Sequence, residues 1–434
     1  MRKIALVSEH ASPLALAGSV DSGGQNIYVA NVARQLARRG CEVDVFTRRD
    51  RSFLPTVFQW QPGVRVIHVP AGPSQFLPKE QLLPLMPAFG AFLNEFLDGQ
   101  TRPYDVVHAN FFMSGQAALY PARNLGLPLV MTFHALGRVR RQHQRESDLF
   151  PDERFAIEDE LVEESTRIVA ECVQDRDDLL TLYDADSRKI DVVPCGFDPD
   201  ELMPVERTQA RAQLGWNRDE FAVLQLGRLV PRKGIDNVIR GIGVLKRRHA
   251  LKARLYVVGG NSPSPNPIAT PEIARLSELA EQEGVGDLVT FVGRRNRSAL
   301  RLYYSAADVF VTTPWYEPFG ITPLEAMACG TPVIGSSVGG IRSTVLDGIT
   351  GFHVPPEDPE ALADRLARLH RDAGLRRTFG EAGRLRANRS FTWSQVACGL
   401  MDVYERALQS ERIRTGAALH AAMPLNNEVV SALR

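Results

Sequence analysis

Two carboxylates define the chemistry open to this chain. Glu317 and Glu325 are separated by seven residues in Tyr316-Glu317-Pro318-Phe319-Gly320-Ile321-Thr322-Pro323-Leu324-Glu325-Ala326-Met327-Ala328-Cys329-Gly330-Thr331-Pro332-Val333-Ile334. The run predicts a loop that turns into a short helix. Thr322 suits the N-cap, Pro323 the first helical position, and Gly330 the stop before a strand. One carboxylate then lies on a loop and the other on the first turn of a helix, both facing one cavity. A helix N-terminus aimed at a cleft attracts anions, phosphates above all. The plainer role for Glu325 is a capping box closed on the backbone of Thr322. Glu317, between Tyr316 and Pro318, has no such local role.

A second set of residues is cationic or glycine-rich. Arg228 and Lys233 lie five apart in Gly227-Arg228-Leu229-Val230-Pro231-Arg232-Lys233-Gly234 and could clamp a diphosphate from two sides. Otherwise they are two exposed basic residues. The loop is no P-loop, because the Gly-Lys-Ser/Thr ending is missing. Gly23 and Gly24 end a loop, from Ala17 through Asp21 and Ser22, that leads into a helix. They let the backbone approach a ligand, or they form a tight turn with none. Gly-x-Gly-x-x-Gly is absent there, which counts against a dehydrogenase. His134 ends a buried strand and could position a sugar hydroxyl, although a lone histidine is more often structural. The basic run from Arg138 to Arg145, with Arg154 opening an acidic helix, is either a solvated face or a seat for a phosphate.

The elements that must position these residues alternate as strand and helix. Apolar runs at 4–7, 41–47, 64–70, 106–110, 129–134, 168–170 and 190–194 read as strands, with a helix over 25–40. The alternation restarts at 221–226 and continues at 254–260, 289–293, 308–312, 331–334 and 348–354. A polar stretch over 200–220 sets the boundary between two α/β domains. Residues 358–388 read as two charged helices and 393–408 as a last one, with a poorly ordered tail from about 411. A chain of 434 residues, 44% hydrophobic and 24% charged, suits two soluble domains. Its formal net charge of zero argues against a broad nucleic-acid or polybasic membrane footprint. The five cysteines are scattered and form no Cys-x-x-Cys, so they suggest neither a disulfide framework nor a zinc site. No stretch approaches the roughly 18 apolar residues of a membrane span, and a cytoplasmic location is expected.

Residues 316–334 resemble the donor-site signature of the retaining glycosyltransferases of family 4, which have the GT-B fold. The resemblance runs over roughly residues 1–405. It implies two Rossmann-like domains facing a central cleft: 1–200 for the acceptor, joined by a crossover helix at 391–408, and 201–390 for a nucleotide diphosphate sugar. Glu317 would lie against the donor sugar and Glu325 on the ribose, with Gly320 and Ile321 at the adjoining helix start. Thr-Phe-His-Ala-Leu-Gly-Arg is similar to the family's histidine loop and puts His134 beside the sugar. Arg228 and Lys233 would neutralise the leaving diphosphate, Gly24 would approach it, and the backbone at Arg294 would read the base.

On the acceptor side, Gly-Gly-Gln, ending at Gln25, is similar to the sucrose-phosphate synthase branch. Asn26-Ile27-Tyr28-Val29 is similar to the inositol-phosphate N-acetylglucosaminyltransferase branch. Lys79 and Arg154 match positions that touch the acceptor phosphate in the latter. That branch has a Tyr where this chain has Phe111 or Phe112, and a Thr where it has Ala135. The implied reaction moves a hexose or N-acetylhexosamine to a small phosphorylated sugar or polyol, with no obligatory metal or other cofactor. A glycan or lipid-linked acceptor is the alternative. An epimerase would lack the Gly-Gly-Gln loop, and a mere binding protein would have lost Glu317 or Lys233. Monomer and homodimer both remain open.

Overall fold

Lys3–Val7 is buried from end to end, as a central strand covered on both faces must be. The structure, a computed structural model, describes residues 2–15 and 23–422. Asp21 and Ser22 of the expected glycine loop lie outside the described residues. Eight strands form the first sheet: β1 (Lys3–Val7), β2 (Glu42–Arg48), β3 (Val57–Gln61), β4 (Val64–Val69), β5 (Val106–Asn110), β6 (Leu129–Thr132), β7 (Arg167–Ala170) and β8 (Ile190–Val192). Their order is β3-β4-β2-β1-β5-β6-β7-β8. Six more form the second: β9 (Ala222–Leu226), β10 (Arg254–Val258), β11 (Val289–Gly293), β12 (Val309–Thr312), β13 (Val333–Ser336) and β14 (Gly351–Val354), in the order β11-β10-β9-β12-β13-β14. Among the described residues every strand pairing is parallel except β3 with β4. β3 escapes a sequence reading because it is an edge strand whose Val57 and Phe58 stay exposed, so no buried alternation marks it.

The strand order reverses direction between β1 and β5, and again between β9 and β12. Open parallel sheets leave a crevice at the carboxyl ends of such strands, because the flanking helices diverge to opposite faces. Asn110 ends β5, Gly227 and Arg228 follow β9, and Thr313 to Glu317 follow β12. The topology therefore brings residues far apart in sequence to two facing sheet edges.

The last helix, Trp393–Ala422, starts with a capping box. Thr392 Oγ1 accepts from Gln395 N at 3.3 Å, and Gln395 Oε1 accepts from Thr392 N at 2.8 Å. It does not stop near Leu408 as expected. It continues over 411–422, the described part of the stretch expected to lose order, because a lone Gly416 is too weak a breaker and no proline follows before Ala422. This helix packs on the first sheet: Arg406 pairs with Asp191 at 2.9 Å, and Tyr404 Oη meets His108 Nδ1 at 2.8 Å.

His108 is fully buried, and its Nε2 meets Thr132 Oγ1 at 2.8 Å. Burial, with a smaller contribution from His134, holds it down to about 3 from its ordinary 6.5. The native ring therefore stays neutral through the window in which the unfolded chain takes up the proton. The unfolded state binds more protons below pH 6.5, so stability falls as pH falls towards 3, by about 1.4 kcal/mol per pH unit from this group. Melting temperatures of wild type and His108→Gln across that window check this. The variant's curve should be flatter on the acid side.

Candidate active site

The Glu317 loop is built between two sheet edges. β12 delivers Thr313, whose hydroxyl donates to the Gly234 carbonyl at 2.8 Å, tying this loop to the one after β9. Arg232 reinforces the tie: its Nη1 donates to the Tyr316 carbonyl at 3.1 Å, and its carbonyl accepts from Trp315 N at 3.1 Å. Lys233, on the 3-10 turn Pro231–Lys233, then forms an ion pair with Glu317 Oε2, and Arg232 stands 3.7 Å from the same oxygen. Burial works against the Glu317 charge, but Lys233, Arg232 and Arg228 outweigh it and hold the carboxyl below its usual range. Lys233 is pulled down to about 8, by burial most of all and by its two arginine neighbours, with Glu317 opposing. One carboxylate thus stands within the influence of three cations at the end of β9.

The helix behind the loop runs Ile321–Ala328, and its N-cap is Gly320 at φ +84°. That corrects the expected start at Thr322. The left-handed backbone that Gly320 accepts lets the chain turn two residues earlier, and Pro323 still falls in the first turn, where no N–H is needed. Glu325 consequently closes no capping box. It is buried, and accepts from Arg297 Nη1 at 2.8 Å and Tyr304 Oη at 2.9 Å. Arg297 also pairs with Glu201 at 2.5 Å, and its Nη2 is buried without a hydrogen-bond partner. Each Glu325 oxygen keeps a free lone pair, and the idle guanidinium N–H lies beside it.

Across the cleft, the first helix (Gly24–Arg38) points its start at this helix. A Cβ on Gly24 would stand 3.4 Å from Ile321 Cδ1. Two helix N-termini thus converge with Lys233 and Arg228, an arrangement suited to a diphosphate. Further contacts hold the sides together: Cys172 Sγ donates to the Pro318 carbonyl at 3.3 Å, and the His143 and Tyr316 rings stack at 5.4 Å.

Gly339, at φ +47°, lies directly beneath the catalytic candidate. A Cβ there would overlap the Glu317 carbonyl oxygen, and Gly340 N donates to the Pro318 carbonyl at 3.0 Å. Gly339→Ala must shift the Glu317 loop, and kcat should fall about 10²-fold with the melting temperature lowered. Steady-state kinetics with a thermal melt will measure it.

His134 sits at the end of β6 with both ring nitrogens engaged, Nδ1 3.1 Å from Glu171 Oε1 and Nε2 3.0 Å from Asn110 Oδ1. Gln25 Nε2 donates to the Asn110 carbonyl at 3.1 Å and to Ser8 Oγ at 3.3 Å, so it braces the ends of β5 and β1. Asn26 is taken up locally, its Oδ1 accepting from Gly23 N and its Nδ2 donating to the Ser12 carbonyl, each at 3.0 Å.

The arginines expected around one phosphate already have carboxylate partners in the protein. Arg138 forms a bidentate pair with Asp159, and Arg140 and Arg141 pair with Asp148 and Asp152. Arg154 is buried, bonded to Glu158 at 2.7 Å and ringed by Phe111, Phe112 and Phe150 at 4.6 to 5.1 Å. Lys79 is half-buried on the short turn Lys79–Gln81 beyond the proline-rich segment. The backbone N–H of Arg294 is already given to the Ser262 carbonyl at 2.8 Å, and its carbonyl accepts from Arg295 Nη1 at 2.9 Å.

Sequence reasoning passed over Arg232, Arg297, Asn110 and Glu171. Only Asn110 and Glu171 carried a signal, a polar residue ending or immediately following a buried strand.

The two sheets match two family models in turn. "Glycosyltransferase Family 4" covers residues 22–201 and "Glycosyl transferases group 1" covers 206–386. The chain is 39% identical to a D-inositol 3-phosphate glycosyltransferase of Xylanimonas cellulosilytica over 95% of its own length and 98% of the relative's. It is 38% identical to one of Frankia alni, over 92% and 98%. The solved sucrose-phosphate synthase of Thermosynechococcus elongatus superposes with a TM-score of 0.84 at 34% identity, covering 94% of this chain and all of the other. Likeness along the whole length, in sequence and in the arrangement of both sheets around the cleft, means that this chain belongs to the group 1 glycosyltransferases of GT-B fold.

Proposed function

We propose that the protein is a retaining, family 4 enzyme that moves a hexose or N-acetylhexosamine from a nucleotide diphosphate sugar to a small phosphorylated sugar or polyol. The observation that carries this reading is the Lys233–Glu317 pair, set among Arg228 and Arg232 and opposite the Gly24 helix start. Breaking the bond between C1 of the sugar and the diphosphate oxygen leaves negative charge on that oxygen. Arg228, Lys233 and the two helix N-termini supply positive potential there before the reaction begins, in place of a metal. Glu317 accepts hydroxyl hydrogens of the sugar, and Glu325 with Arg297 Nη2 holds the ribose. The acceptor oxygen bonds to C1 on the face the diphosphate leaves, and its proton passes to the departing phosphate oxygen. The 36–39% identity to D-inositol 3-phosphate glycosyltransferases and the sucrose-phosphate synthase likeness support a phosphorylated acceptor.

The test is nucleotide release from UDP-, GDP- and ADP-linked glucose, N-acetylglucosamine and mannose, against phosphorylated and free small acceptors and against glycan and lipid-linked ones. Release that requires a sugar or polyol phosphate supports the proposal. Release only with glycan or lipid-linked acceptors overturns it.

A further inference from the structure

The family resemblance sets His134 beside the donor sugar but gives no part to Glu171. β7 pairs with β6 and ends at Ala170, which puts Glu171 beside the residue pair that follows β6. Glu171 is buried, with Oε1 3.1 Å from His134 Nδ1 and 2.8 Å from Cys195 Sγ. On the opposite side of the ring, Nε2 is 3.0 Å from Asn110 Oδ1. The Asn110 amide is oriented by its other end, whose Nδ2 donates to the carbonyls of Val7 and His108, both at 3.4 Å. Both ring nitrogens therefore face oxygens that have no hydrogen to give. A neutral imidazole has one N–H and would set its bare nitrogen against an oxygen lone pair, whereas an imidazolium satisfies both contacts. The backbone at His134 is held at φ +58°, an uncommon state for a side chain of this size, and the Tyr28 ring packs edge-on at 4.8 Å. The ring is held between its two acceptors.

We infer that Glu171 is a positioning residue that keeps the His134 ring as an imidazolium, with one N–H given to Glu171 and the other available to an oxygen of the donor that displaces Asn110 Oδ1. The groups around the ring leave this charge to Glu171 alone. Burial disfavours the Glu171 carboxylate, but His134 and Cys195 hold it below its usual range. Burial, then Glu171, pushes the Cys195 thiol and the Tyr28 hydroxyl well up, so both stay neutral. Asp175 is pushed well up by burial, Glu171 and Asp178, and His108 is neutral. Glu317, the remaining anion nearby, is matched by Lys233. The catalytic consequence rests on the reading of His134 beside the donor sugar; the charge state does not.

Ring-nitrogen NMR of the full chain at neutral pH tests the charge, with His134→Gln identifying the resonances. The expected result is two protonated nitrogens in wild type and in Glu171→Asp, and one bare nitrogen in Glu171→Gln. Glu171→Gln should lower kcat about 10- to 100-fold with a smaller change in KM. A bare nitrogen on wild-type His134, or two protonated nitrogens in Glu171→Gln, overturns the inference. Transfer at the wild-type rate by His134→Gln would instead remove the donor-side reading and leave the spectrum to decide the charge.

Discussion

Glu317→Gln should lower kcat/KM for sugar transfer by about 10²- to 10³-fold, with the melting temperature little changed. Gln has the shape of Glu and can still meet a sugar hydroxyl, so the loop above Gly339 has no reason to move. What it lacks is charge. The Glu317 carboxylate is the partner that opposes the fall of Lys233; without it, burial, Arg232 and Arg228 all act in one direction on the ammonium. Lys233 then gives up its proton at a lower pH, and the leaving diphosphate loses a cation. Glu317→Ala should match that kinetic loss and also melt lower, because it strands a mostly buried Lys233 beside an empty space. Circular-dichroism melts beside initial-rate kinetics separate the two effects. Undiminished turnover in either variant would sink the assignment of this loop.

Lys233 itself should appear in the pH dependence. In the free enzyme its ammonium is lost as pH rises through about 8, and the neutral amine cannot balance a departing diphosphate. The kcat/KM profile should therefore fall on the alkaline side of about 8. The kcat profile should hold to higher pH, because a bound diphosphate replaces part of the missing negative charge and keeps the proton on. Lys233→Arg keeps a cation that does not titrate in this range and should erase the limb, at the cost of a poorer fit. Lys233→Met should lower kcat/KM about 10²- to 10³-fold at every pH. A Lys233→Arg profile with the same alkaline limb as wild type would show that another group titrates there.

The parts whose signal is local could be read from the chain alone. Buried apolar runs announce the strands, and glycines mark where a backbone must turn or approach. Glu317, Lys233, Arg228, Gly24 and His134 were legible because each follows a strand or opens a helix, the places where a parallel sheet presents side chains to its crevice. Pairing was not legible, because periodicity states which face a residue occupies and not which segment will cover it. Arg138 looked free until Asp159, on the acidic helix that follows, took both its nitrogens, and Arg154 until three phenylalanines and Glu158 closed over it. For Glu325 the alternative of a cap was open until Gly320 started the helix early and Arg297 arrived from another helix. A buried charge must find its counter-charge wherever the fold brings one. Which cation faces which anion was therefore decided only when the helices and loops of each sheet packed together.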